Sequence, residues 1–81
     1  MAPIVRDYTV VLTPEPEAGG YSVTVPALPE IATQGETREE ALAMARDAIE
    51  LSLEYRRDEG LPIPDDVAPI EQRLHVEISA A

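Results

Sequence analysis

The segment "YSVTVPALPEIATQGETREEALAMARDAI", Tyr21 to Ile49, decides the fold, because three kinds of local order follow one another in it without a gap. "YSVTV" alternates Tyr21, Val23 and Val25 against Ser22 and Thr24, the period of two expected of a strand with one buried face. In "PALP", Pro26 and Pro29 lack an N–H and push the residues before them toward extended backbone, which predicts a rigid bend around Leu28. "EIATQG" resumes as a short strand, and Gly35 is expected to supply freedom in φ just before a helix. "TREE" is a capping box: the Thr37 hydroxyl is placed to accept from the N–H of Glu40, and the Glu40 carboxylate to reach back to the N–H of Thr37. Leu42, Ala45, Ile49 and Leu53 then fall on one helical stripe, broadened by Ala41, Ala48 and Ser52, until Gly60 and Pro62 end it. A helix of roughly 22 residues is ~33 Å long against strands of about 20 Å, so its last turns are expected to overhang the sheet.

On the N-terminal side, "RDYTVVLTP" alternates Tyr8, Val10 and Leu12 against Thr9, Val11 and Thr13 and reads as a strand closed by Pro14. The apolar Val11 among its outward positions makes it the candidate for a central strand. "PEPEAGG" is a polar connection that can double back. On the C-terminal side "LPIPDDVAPIEQ" is a second Pro-rich connection, and "RLHVEI" alternates Leu74, Val76 and Ile78 against His75 and Glu77 as a last strand. The order strand, strand, strand, helix, strand gives a single α+β domain over residues 1–81. Three strands form an antiparallel meander, the long helix covers one face, and the fourth strand lies parallel to the first, for a sheet order 3-2-1-4. Thr9, Val11, Ser22 and Thr24 are left on an open, semi-polar face that a second chain could cover.

The chain carries a formal net charge of −10, and its six basic residues are all Arg. Such a surface repels phosphate, which argues against direct nucleic-acid binding and suits a basic protein partner or plain solubility. With no cysteine, disulfides do not stabilise the fold, and neither a signal-peptide pattern nor an apolar run of membrane-spanning length is present. The expected location is the cytoplasm. A core this small commonly gains stability by association, so a homodimer or higher homo-oligomer is expected.

Residues that usually carry catalysis are sparse. His75, the only histidine, falls on the polar side of a strand with no Cys or second His to complete a metal shell. Asp65 and Asp66 read as a solvated pair in a Pro-bounded loop, Ser22 and Thr33 have no base beside them, and Gly19-Gly20 is a turn between strands rather than a phosphate cradle. No metal, cofactor or catalytic residue is expected.

Tyr21, Val23, Pro26, Leu28, Pro29, Thr33, Gly35, Thr37, Glu40, Ala41, Ala45, Ala48 and Ile49, followed by Gly60-Leu61-Pro62-Ile63-Pro64, resemble in order and spacing the HicB-like antitoxin domain of type II toxin-antitoxin systems. The resemblance spans about Tyr8 to Ile78, with Glu30 standing where that family usually has Gly. It implies a partial ribonuclease H-like fold. An active ribonuclease H needs a carboxylate in the middle of its first strand to hold metal, whereas Tyr8 to Leu12 contain none and Asp7 lies at the edge. It also implies a non-enzymatic partner-binding role, in which a small basic RNA-cleaving toxin of HicA type is neutralised by covering its active surface. The C-terminal DNA-binding domain of many family members is not matched in these 81 residues. The polar residues that the core does not require, Glu30, Gln34, Glu36, Glu54, Asp58 and Glu59, form the expected partner-binding set. The alternative is an orphan HicB-fold homo-oligomer with a structural or regulatory role toward an unrelated partner or ligand.

Overall fold

The computed structural model describes residues 2–80. Its elements are β1 (Val11–Pro14), β2 (Tyr21–Thr24), β3 (Ala32–Gly35) and α1 (Arg38–Asp58), an α+β arrangement with the three strands in the antiparallel order β1-β2-β3. Leu12 pairs with Val23 and Val23 with Thr33, so the inward row runs straight across the sheet. Between β1 and β2 the chain reverses through Gly19 and Gly20, both at φ +77°, with Gly19 N–H bonded to Glu15 O at 2.7 Å and Glu15 N–H to Gly20 O at 2.9 Å.

β1 starts at Val11, three residues later than the alternation of Tyr8, Val10 and Leu12 predicts, because the ladder lacks a partner there. Val25, next on β2, gives its carbonyl to Leu28 N–H at 2.9 Å, and Pro26 has no N–H to offer. The bend is two successive turns, Val25–Leu28 and Leu28–Ile31, each with Pro at its second position and each closed by a backbone bond, at 2.9 and 3.0 Å. This repeat delivers Val25, Leu28 and Ile31 to the interior, and Leu28 is fully buried. Tyr8, Val10, Ala48 and Ile49 pack against that cluster, while Val23, Ala41 and Ala45 form a second one beside Leu12 and Tyr21.

The helix starts as its sequence dictates. Thr37 Oγ1 accepts from Glu40 N–H at 3.1 Å, although the reciprocal bond from Thr37 N–H to the Glu40 carboxylate is not formed. At the other end Gly60 takes φ +67°, Leu61 N–H bonds Arg56 O at 2.7 Å and Gly60 N–H bonds Arg57 O at 3.2 Å, a Schellman closure. Gly35 does not adopt positive φ. Its need for a missing side chain is spatial: a Cβ there would stand 2.4 Å from the Ala41 N, so glycine lets β3 touch the first turn of the helix.

Two core expectations are corrected. The helix turns its small residues inward, with Ala41 and Ala45 buried, so Leu42 lies on the flank and is 47% exposed and Leu53 is only half-buried. The reason is close approach: α1 lies on β3 and β2, where an alanine face fits and a leucine face would lift it off the sheet. The second correction concerns Arg73–Ile78. Among the described residues no fourth strand pairs with β1, and Leu74, Val76 and Ile78 are 85%, 73% and 88% exposed. The last segment extends away from the body, giving overall dimensions of 66 × 25 × 18 Å.

Candidate functional site: the outer face of the helix

The six polar residues expected to meet a partner do not converge. Glu30 sits on the second proline turn and is engaged within the chain: Ser52 Oγ donates to its Oε2 at 2.5 Å, and Arg56 Nη2 lies 3.1 Å from both carboxylate oxygens. The Ser52 hydroxyl bond first, and the Arg56 guanidinium with it, hold the Glu30 carboxyl below its ordinary range. Glu30 thus pins the bend to the back of the helix. Gln34, paired with Ser22, lies on the exposed sheet face opposite the helix. Glu36 precedes the helix, whereas Glu54, Asp58 and Glu59 stand toward its far end, Glu54 about 24 Å and Asp58 about 30 Å from the helix start along the axis at 1.5 Å per residue. Asp58 Oδ1 also accepts from Arg57 Nε at 3.0 Å, an exposed pair of small energetic weight.

What joins Glu54 and Asp58 into a surface is a stripe that the expected set omitted. Glu40, Asp47 and Glu54 recur every seven residues and Asp58 follows four later, so at 100° per residue all four fall within an arc of about 40° on the exposed face. Beside them Met44, Leu51 and Tyr55 form an apolar row that is 43%, 69% and 60% exposed. The seven-residue recurrence was the available signal, obscured because Glu40 also reads as a capping residue. An acidic stripe bordering exposed Met, Leu and Tyr has the composition of a protein-binding surface: apolar anchors beside charges that set orientation and encounter rate.

The connection after the helix is also less loosely held than its composition suggests. Asp66, expected to be solvated, accepts from Thr9 N–H at 2.8 Å and from Thr9 Oγ1 at 2.7 Å, and the backbone bond first, then the hydroxyl bond, lower its carboxyl pKa. Tyr8 Oη donates to Pro64 O at 2.5 Å, and burial raises the Tyr8 phenol. These contacts moor the Pro-rich segment to the start of β1. His75 Nε2 lies 3.3 Å from Glu77 Oε1, both side chains fully in solvent, which is the same-side contact that extended chain gives residues two apart. Among the described residues no three His, Asp or Glu side chains are grouped to hold a metal ion, and no helix is long and apolar enough to cross a membrane.

A profile of the "HicB_like antitoxin of bacterial toxin-antitoxin system" matches residues 7–81. Antitoxin HicB 1 of Photorhabdus laumondii is 45% identical over 81 residues, covering 96% of this chain and 51% of the relative. Antitoxin HicB of Escherichia coli K12 is 38% identical over 76 residues, covering 91% of this chain and 54% of the relative. A UPF0150 protein of Thermoplasma acidophilum is 44% identical over 61 residues, covering 75% of this chain and 87% of the relative. The chain spans about half the length of the HicB antitoxins that it matches. By the profile match and these identities over most of its residues, the chain belongs to the HicB-like antitoxin family.

Proposed function

We propose that this chain is a non-enzymatic antitoxin module, cytoplasmic, that captures a small basic RNA-cleaving toxin of HicA type and covers the surface with which that toxin grips RNA. The observation that carries this reading is the outer helix face, where Glu40, Asp47, Glu54 and Asp58 line up beside Met44, Leu51 and Tyr55 in a chain of net charge −10. Carboxylates at regular spacing present the toxin with a substitute for RNA phosphates, and the apolar row supplies the desolvated contact that holds it. The same acidity keeps this chain itself off nucleic acid. Glu36 extends the stripe toward the helix start and Glu59 toward its end; Gln34, on the opposite face, and Glu30, already paired with Arg56, contribute less. The sheet belongs to a partial ribonuclease H-like fold used as a scaffold.

The second reading, a stand-alone HicB-fold oligomer serving another partner, draws on one observation: the Thermoplasma relative is spanned over 87% of its length, so a domain of this kind makes up nearly all of that protein. Co-expression separates the two. Under the first reading a gene beside this one encodes a small basic protein whose induction arrests growth, and this chain restores it. Arrest that the chain fails to relieve, with both proteins present, contradicts it.

A further inference from the structure

The exposed end of the chain and a vacant place in its fold match one another. Between the N-terminal arm and the flank of α1 runs a groove of about 470 Å³ whose apolar lining comes from Ile4, Tyr8, Val10, Leu42, Ile49 and Leu53. Its sheet-side lining, Tyr8 and Val10, leads directly into β1, with which no strand other than β2 pairs among the described residues. Leu42 and Leu53, which fit the helical core pattern in sequence, thus face this groove rather than the buried alanine face. The segment that has the matching chemistry is Arg73–Ile78: Leu74, Val76 and Ile78 on one side, His75 and Glu77 on the other, all exposed. Its radius of gyration makes the point for the whole molecule, 16.5 Å against about 12 Å for a compact chain of this length.

The chain's own segment is out of register for its own groove. Asp66 is held beside Thr9. If the chain ran on from there parallel to β1, residue for residue, Leu74 would fall beside Glu17, eight positions past Thr9. Val76 and Ile78 would fall beside Gly19 and Tyr21. All three positions lie beyond the end of β1 at Pro14, Glu17 and Gly19 in the exposed reversal and Tyr21 already on β2. Drawing Leu74 back onto β1 requires buckling Val67–Gln72 across Pro69 or breaking the Asp66 mooring. Extended, as it is in the structure, the fourteen residues from Val67 to Ala80 reach about 45 Å, far enough to cross to another molecule.

We propose that the Arg73–Ile78 segment is exchanged between two copies of this chain, each laying its segment as an added strand on the β1 edge of the other and burying Leu74, Val76 and Ile78 against Leu42, Ile49 and Leu53. Each copy offers one arm and one slot, so a two-fold pair closes with neither left over. Backbone bonds along β1 give the affinity, and the alternate apolar side chains fix the register. The acidic face of α1, on a different side of the helix, stays free in both copies. This inference is independent of the toxin proposal.

The absence of native cysteine makes the test clean. Sedimentation of the full chain yields a dimer, and Val76→Asp weakens it about 100-fold by placing a charge in the exchanged strand, while Val76→Ile keeps it. Because Val76 is exposed in the single chain, both variants retain the helical circular-dichroism signal. Mixing a Leu42→Cys chain with a Val76→Cys chain under mild oxidation gives a cross-linked heterodimer. Four results overturn the proposal: a monomer; a dimer indifferent to Val76→Asp; a Leu42→Cys/Val76→Cys double variant that cross-links within one chain; or Val76→Cys chains that cross-link only to each other.

Discussion

Glu30 shows how a polar side chain that the core does not require is given work within the chain. Its carboxylate is held by Ser52 and Arg56 against the back of the helix. Its pKa is lowered in the folded state, so the carboxylate's contribution is fully present above the ordinary carboxyl range of the unfolded chain and is lost as pH falls through the folded value. Glu30→Gln keeps the shape and most acceptor capacity but removes the charge. The expected outcome in thermal denaturation is a variant less stable than wild type at pH 7, by at most about 1 kcal/mol because the pair is solvent-exposed. The gap closes as pH falls below about 4. A gap that stays constant between pH 7 and pH 3 contradicts this assignment.

At the scale of elements, the proline bend carries more of the core than its composition suggests. Leu28→Ala is expected to cost about 2–5 kcal/mol by denaturant unfolding, because Leu28 is fully buried between the two turns, whereas Leu42→Ala costs much less in a single chain. Equal costs for the two would contradict the helix phase described here. The strand alternation of Tyr21, Val23 and Val25, the Thr37 cap and the Gly60 closure were legible in sequence because each rests on bonds between near neighbours. The phase of α1 was not, since hydropathy ranks Leu42 above Ala41 while close packing on β3 selects the alanine. Leu28 and Ile31 were legible only as turn and strand residues: a repeat of three set by Pro26 and Pro29 belongs to neither helix nor strand periodicity. The apolar alternation of Leu74, Val76 and Ile78 predicts an inward strand face that the structure does not form, because alternation records which side could be buried but not whether an edge receives it.

For the whole molecule, charge and shape describe a small acidic sheet-and-helix body, and the proposed function assigns its outer helix face to a basic partner. Of the residues expected to face a partner, the structure groups only some. Glu54 and Asp58 stand on the stripe, while Glu30 and Gln34 are placed elsewhere by a turn and a strand register that distance along the sequence does not reveal. The most direct test is the rate at which the chain captures the small basic toxin that the proposed function requires, followed by stopped-flow against salt concentration. It is run for wild type and for a variant carrying Asp47→Asn, Glu54→Gln and Asp58→Asn. The account predicts association that slows steeply with salt in the wild type, and a variant that folds normally but associates about tenfold more slowly at low salt with a shallower salt slope. Identical rates and slopes for the two proteins would contradict it.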